Sequence, residues 1–365
     1  MKLENKRILF VIARLNRGGT SKYIGELVPA LLSEGLEVLT ATGFVQGNEV
    51  EDSVTERIPI VRIKNLGRKI SLLSDLKARS EIKKVIKTFK PDLIYTHTFK
   101  AGLLTRTIFT FRPIVHAYHG LILDDEEHSK AVKFLYRLIE RTLAVRTKYI
   151  VSVGRRVGEE LRAFRIGNSK KIMSIPPGVS QVKLLNKNES LKKLRLSEEG
   201  LKIAWLGRLE EVKKASRVLE LARQMPGSVF LIAGDGSQKV NLEGSATDNV
   251  LFMGWQDPLI IFSVSDIVLN TSLSEGMSIA LIESQMAGLP AVAMNVGSNA
   301  EIVRHGITGY LSSEFPEPFL TYLRKLVLEP SLRTKMAQSA NEWATSEFSI
   351  QLFVQRHLQL FYKSF

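Results

Sequence analysis

The sequence predicts an α/β protein of two domains, each a parallel sheet with helices on both faces. Three observations carry this. Short apolar runs of strand length alternate with amphipathic helical patterns along most of the chain, as parallel strands joined by crossovers require. Several strand-to-helix junctions carry glycine, notably Gly18-Gly19, Gly207 and Gly276. The alternation restarts at Leu201 after a polar stretch, and 365 residues, 44% of them hydrophobic, suit two cores better than one.

In chain order, Arg7 to Ala13 has a buried-strand pattern, and Gly18-Gly19 open a helix whose apolar face is Ile24, Leu27, Val28, Leu31 and Leu32. Strand, glycine loop and helix N-terminus together can approach a phosphate, although a tight βα turn reads the same way. Further strands are expected at Glu37–Thr42, Ile60–Ile63, Asp92–Thr96, Ile114–Ala117 and Tyr149–Val153. His97 and His119 fall where strands end, the position at which open α/β sheets bind ligands. His116 points the other way in the alternation and reads as structural. In the helix over Lys77 to Lys90, Ile82, Val85, Ile86 and Phe89 form an apolar face, and Lys83, Lys84, Lys87 and Lys90 the polar one. The acidic run Asp124 to Glu127 could hold a cation but reads equally as a solvated loop, and no metal site is assigned. Ala131 to Arg146 reads as an amphipathic helix. Ile172 to Val179 ends a strand with two prolines and a glycine, and Lys183 to Gly200, polar and without an apolar period, is expected to contain the linker.

The second half begins with a strand at Leu201–Leu206, followed by GRLEEVKKASRVLELA, where Arg208 and Lys213 flank a turn that opens a helix. Two cations there could neutralise a diphosphate. Strands follow at Phe230–Ala233, leading to Gly234, and at Val250–Met253, leading to Gly254, with a helix over Gln256–Ser263. The most informative stretch is Asp266 to Leu311: a strand to Asn270, a helix over Ser278–Ala287 stopped by Gly288 and Pro290, and a strand at Ala291–Met294. Gly276 lets backbone approach a ligand, and the free N–H groups of Gly276, Met277, Ser278 and Ile279 sit at the positive end of the helix dipole. Glu275 and Glu283 have seven residues between them. On one helix they would be about 12 Å apart, too far to act on one atom but suited to opposite ends of an extended ligand. A carboxylate is a good acceptor for vicinal sugar hydroxyls, while a capped loop and a solvated helical Glu remain the plain alternative.

As a string, Glu275, Glu283, Ala287-Gly288-Leu289-Pro290, Gly297, Glu301 and Gly309 resemble the C-terminal signature of the retaining, nucleotide-sugar-dependent glycosyltransferases of family four, the group 1 enzymes of the GT-B fold. Gly18-Gly19, His119-Gly120 and Gly207-Arg208-Leu209 with Lys213 are similar to further elements of that family. Lys214 stands where the family usually has Gly, which leaves Lys213 and Lys214 as competing candidates. Met277 stands where many relatives carry Phe or Pro.

The resemblance implies two Rossmann-like domains facing across a cleft. The acceptor-binding domain would span 1–180, the nucleotide-sugar domain 181–347, and a final helix over 348–365 would cross back to the first. It further implies transfer with retention, no required metal and no covalent nucleophile. His119, Arg208, Lys213 and Glu275 would be catalytic. Gly18, Gly19, Gly207, Gly234, Gly254, Gly276, Met277, Ser278, Ile279 and Glu283 would bind the donor, Glu283 through the ribose. The implied substrates are a nucleotide-sugar, a UDP-sugar being the expected case, and a sugar or lipid-linked acceptor. A same-fold epimerase or sugar-phosphate synthase is the enzyme alternative.

Charge narrows the partners. Residues 1–185 hold 33 Lys and Arg against 18 Asp and Glu, a balance of +15, whereas residues 186–365 hold 18 against 19. Charge confined to one domain points to an anionic membrane surface or acceptor more than to nucleic acid, the non-enzyme alternative. There are no cysteines, so disulfides and thiolate metal sites are excluded. The apolar run Ile8 to Ala13 is too short for a signal segment and no run is long enough to span a bilayer. The expectation is a cytoplasmic enzyme, with peripheral docking at the inner face of the membrane as its extension.

Overall fold

The computed structural model of the chain describes residues 3–47, 49–67, 71–120 and 129–365, and divides into two compact units, Met1–Gly178 with Ile350–Phe365, and Val179–Ser349. The acidic run Asp124–Glu127 lies outside the described residues.

Unit 1 is built on β1 (Arg7–Ile12), β2 (Glu37–Thr42), β3 (Ile60–Arg62), β4 (Leu93–His97), β5 (Ile114–Tyr118), β6 (Tyr149–Ser152) and β7 (Ile172–Ser174), in the order β3-β2-β1-β4-β5-β6-β7. Every ladder is parallel. Its helices are α1 (Gly19–Ser33), α2 (Leu72–Phe89), α3 (Phe99–Arg106), α4 (Lys130–Val145) and α5 (Arg155–Ala163), and the last helix of the chain, α14 (Ile350–Ser364), belongs to the same unit. Because both faces are covered, Ile8 to Ile12 are all buried. Leu9, Val11, Ile94 and Ile114 pack with Ala78 and Ile82 of α2 and Ala101 and Leu104 of α3. Tyr95 packs instead with Tyr23 of α1 and with His357 and Phe361 of α14.

Unit 2 repeats the plan with β8 (Leu201–Leu206), β9 (Ser228–Ala233), β10 (Val250–Gly254), β11 (Ile267–Asn270), β12 (Ala291–Met294) and β13 (Gly309–Ser312), in the order β10-β9-β8-β11-β12-β13, again parallel throughout. Its helices are α6 (Lys187–Leu194), α7 (Ser216–Gln224), α8 (Lys239–Glu243), α9 (Pro258–Val264), α10 (Ile279–Met286), α11 (Asn299–Ile302), α12 (Phe319–Leu328) and α13 (Pro330–Glu347). Alternation sorts the strands: Ile203, Trp205, Phe230, Ile232 and Leu269 face α7 and α12, while Ala204 and Val268 face Ile261 and Phe262 of α9. In each sheet the strand order reverses once, at β1/β4 and at β8/β11, which opens a crevice at the carboxyl ends of those strands.

Two segments differ from the sequence reading. The polar stretch 183–200 contains α6, begun by Asn186, whose side chain accepts the Glu189 N–H at 3.1 Å, and anchored by Leu191 against Leu231 and Val264. One buried leucine is too weak a period to see. Beyond β13, where the sequence reading has no element before Phe348, α12 and α13 complete the unit, and α13 carries Asn341, whose side-chain amide donates to the Met286 carbonyl of α10.

Candidate active site

The crevice of unit 2 lies between the loops after β8 and β11. Glu275, in the second loop, has its Oε1 held by Lys213 Nζ at 2.6 Å, Ser272 Oγ at 2.8 Å and Asn270 Nδ2 at 3.2 Å. The Asn270 amide is itself oriented, its Oδ1 accepting from Asn299 Nδ2 at 3.1 Å. The Glu275 side chain is 7% exposed and that of Lys213 23%, so the carboxylate is enclosed while the lysine side chain is partly exposed. Burial by itself raises the Glu275 carboxyl, but the Lys213 charge and the bonds from Lys213, Ser272 and Asn270 outweigh it and hold the group below the ordinary carboxylate range.

The two lysines differ in backbone geometry and in partner. Lys213 reaches Glu275, whereas Lys214 pairs with Glu211 at the surface. Lys214 has φ +48°, the left-handed region that glycine enters without steric cost, so a Gly is what this turn favours after the lysine. The turn is pinned across the crevice: Leu273 N–H donates to the Val212 carbonyl at 2.8 Å, and the Thr271 hydroxyl lies 3.1 and 2.9 Å from the Lys213 and Lys214 carbonyls while accepting Trp205 Nε1–H at 2.9 Å.

Gly276, Met277 and Ser278 lead into α10, and the Ser278 side chain makes no cap to the N–H groups of the first turn. The loop is held by close backbone contact. A Cβ at Gly297, which has φ +50°, would lie 1.7 Å from the Glu275 carbonyl oxygen, and Ser298 N–H donates to the Gly276 carbonyl at 3.0 Å. Met277, Ile279 and Glu283 are buried. Gly207, Gly234 and Gly254 are laced together at the ends of β8, β9 and β10: Gly234 N–H donates to the Gly254 carbonyl at 2.8 Å, and a Cβ at Gly234 would meet the Gly207 carbonyl oxygen at 1.8 Å. Arg208, next in the chain, is exposed.

Gly18, Gly19 and His119 belong to unit 1. Gly18 caps α1 and Gly19 is its first residue, again without a side-chain cap. His119 Nε2 lies 3.0 Å from His97 Nδ1, and its ring meets Tyr23 edge-on at 4.7 Å. Tyr23 and Tyr95 hydroxyls lie 2.9 and 3.2 Å from His357 Nε2, and His357 Nδ1 lies 2.9 Å from the Phe353 carbonyl, which makes Nδ1 the protonated nitrogen. Burial pushes His119 and His357 down to about 4, and burial with the neighbouring imidazoles holds His97 well below the ordinary imidazole value, so the cluster is neutral. His97 Nε2 is buried without a partner. An orphaned N–H being the rarer state, the network assigns the His97 proton to Nδ1, donated to His119 Nε2, and the His119 proton to its own Nδ1. His116 faces the opposite side of the sheet, its Nδ1 2.8 Å from Thr96 Oγ1. On that side a cavity of about 270 Å³ is lined by Phe99, Tyr118, His119, Tyr136 and Glu140 among others.

Of the residues singled out from sequence, the structure brings together Lys213, Glu275 and the start of α10, and separately Gly207, Gly234 and Gly254. It adds Asn270, Ser272 and Asn299 in unit 2, and Tyr23, Tyr95 and His357 in unit 1. Asn270 had a signal, a polar residue closing an apolar strand; His357 had none, lying 334 residues from the Tyr23 it bonds.

Comparison with known proteins finds two families. The one described as Glycosyl transferases group 1 matches residues 186–343, and Glycosyltransferase Family 4 matches residues 17–181. The Escherichia coli UDP-Gal:alpha-D-GlcNAc-diphosphoundecaprenol alpha-1,3-galactosyltransferase is 28% identical over 286 residues, 73% of this chain and 74% of its own. An uncharacterized 41.2 kDa protein in the cps region of Klebsiella pneumoniae is 30% identical over 262 residues, 67% of this chain and 71% of its own. Among solved structures, Anabaena HepE in complex with UDP and glucose superimposes with a TM-score of 0.84 at 17% identity, covering 98% of this chain and 100% of that one. Sucrose-phosphate synthase from Thermosynechococcus elongatus gives 0.85 at 18% identity, covering 98% and 99%. At these identities the likeness concerns the fold, which is GT-B.

Proposed function

This chain belongs to the group 1, family 4 glycosyltransferases, and we propose that it transfers a hexose or N-acetylhexosamine, with retention, from a UDP-sugar to a lipid-linked intermediate of surface-polysaccharide assembly. The relatives support the substrate classes: the E. coli enzyme is named for a UDP-sugar donor and a diphosphoundecaprenol acceptor, the K. pneumoniae relative for the cps region, and a Staphylococcus aureus relative, 22% identical over 341 residues, for capsular polysaccharide biosynthesis.

The observation that carries the mechanism is the Lys213–Glu275 pair beside the start of α10 at the β8/β11 switch point. An ammonium has three donors; Lys213 can keep Glu275 and still present N–H bonds to a phosphate. In our reading Lys213, Arg208 and the N–H groups at Gly276 to Ile279 carry the charge that develops on the departing diphosphate, the part that a divalent cation plays elsewhere. Glu283 takes the ribose hydroxyls, Gly207, Gly234 and Gly254 line the nucleotide with backbone, and Glu275 and His119 orient the sugar. Gly18 and Gly19 at the start of α1 approach the diphosphate or the acceptor. Neutral His119 serves as a hydrogen-bond partner with no charge of its own.

Lys213→Ala and Arg208→Ala are expected to lower kcat about 100- to 1,000-fold with KM for the donor changed only a few-fold. An unchanged kcat in both variants removes the leaving-group role. Retention is read from the anomeric signal of the product, and the donor from turnover across a panel of nucleotide-sugars with an isoprenoid-diphosphate-linked acceptor.

A further inference from the structure

In α4 the apolar stripe points outward. Its inner side supplies Glu140, Leu143 and Ala144 to the interior and stacks Tyr136 on Phe99 at 3.7 Å between ring centroids. Phe134, Leu135, Leu138 and Val145 are 64, 55, 48 and 76% exposed. At 3.6 residues per turn these four fall in one stripe about 100° wide, opposite Leu143 and Tyr136. Lys130, Lys133, Arg137 and Arg141 fall on the flank of the helix beside Phe134, Arg137 lying over the Phe164 ring at 4.4 Å and Arg141 Nε donating to the Phe164 carbonyl at 2.8 Å. Arg146, after the last turn, donates to the Ile108 carbonyl at 3.2 Å and so ties this end of the helix to the loop bearing Phe109 and Phe111, the latter 93% exposed.

We propose that this surface docks unit 1 onto an anionic lipid bilayer, with α4 lying in the interfacial plane. The occupant follows from charge. The one acidic residue of α4, Glu140, is turned inward to Arg106 at 2.9 Å, so the outer side of this helix offers hydrocarbon and cations with no carboxylate of its own. A second copy meeting this face about a twofold axis would set the same cations against each other, whereas phosphatidyl headgroups supply the opposite charge and the acyl boundary takes the aromatic and leucine side chains. Each basic residue near such a surface contributes about 1 kcal/mol. The lysine face of α2 offers charge alone: Ile82, Val85 and Ile86 are turned to the core, and Leu72, Leu73 and Leu76 are exposed only in its first turns, before Lys83, Lys84, Lys87 and Lys90. The docking stands apart from the identity of the acceptor.

The test is co-sedimentation of the full chain with vesicles of phosphatidylcholine alone or with about a third phosphatidylglycerol. The native chain is expected to bind the anionic vesicles. The triple variant Phe134→Ser, Leu135→Ser, Leu138→Ser is expected to lose binding at least about tenfold, and Lys83→Gln with Lys84→Gln and Lys87→Gln only about twofold. Turnover of a short, water-soluble acceptor analogue by the triple variant should match the native chain, which separates this proposal from the catalytic one. Leu135→Trp provides a readout without loss of apolar surface, and its emission should shift to the blue with anionic vesicles. Equal sedimentation of native and triple variant, no shift in Leu135→Trp, or a native dimer that the triple variant dissociates while neither chain binds vesicles, each overturns the proposal.

Discussion

The two sheets open at the same topological place but furnish it with opposite chemistry. At β8/β11 the chain gathers charge: a lysine, a carboxylate, two asparagines and the start of a helix, bonded so that Glu275 stays ionised. Around β1 and β4 it gathers neutral rings: His97, His119 and His357 among Tyr23, Tyr95 and Phe10, all held uncharged by burial. One crevice is prepared to meet an anion and the other to offer hydrogen bonds without charge. The fold sets where a ligand can sit; the side chains set which kind.

Acid should separate the two units most clearly. The buried histidines have folded pKa values below the ordinary imidazole value of 6.5, with His119 and His357 at about 4. Between those limits the unfolded chain binds protons that the folded chain refuses, so unit 1 loses stability as pH falls from about 6.5 to 4, by up to about 1.4 kcal/mol per pH unit for each such histidine. Glu275 is lowered, so its contribution to unit 2 is present above the ordinary carboxylate range and lost only below it. All three tryptophans, Trp205, Trp255 and Trp343, lie in unit 2, so their fluorescence follows that unit alone. Hydrogen exchange in β4 and β5 should rise at a pH where the tryptophan signal is still native. Simultaneous loss of both would mean that the electrostatic contrast does not control stability.

A smaller effect tests the tautomer assignment in unit 1. His97→Phe keeps a ring but removes the donor to His119 Nε2, while His97→Gln can restore an N–H. About a tenfold lower kcat in the Phe variant, recovered in the Gln variant, is expected if His97 positions His119; equal values in the two would reduce His97 to packing. The smallest effect concerns the turn in unit 2. Lys214→Gly should stabilise the chain by up to about 1 kcal/mol in chemical denaturation, because the left-handed backbone then carries no Cβ strain. A destabilised variant would mean that the Lys214–Glu211 pair outweighs the strain.

Much of this was legible beforehand. Strands buried on both faces must be unbroken apolar runs, so β1, β8 and β12 stand out, and a glycine after a strand announces a close backbone approach, as where Gly234 meets Gly207. Lys213 and Lys214 were indistinguishable by residue type; only the φ of the following residue and the reach to Glu275 separate them. The ring cluster joins residues from β4, β5, α1 and α14, contacts that no local pattern encodes.

By itself, then, the sequence determined the alternation of strands and helices, the glycine and carboxylate spacing around Glu275 and Glu283, and the concentration of positive charge in the first half, because each is a property of neighbours along the chain. The tertiary structure decided which lysine meets Glu275, which histidines come within hydrogen-bond distance, and that the apolar stripe of α4 faces out. Periodicity shows that a helix has an apolar side; which way that side points depends on what the rest of the chain places against it.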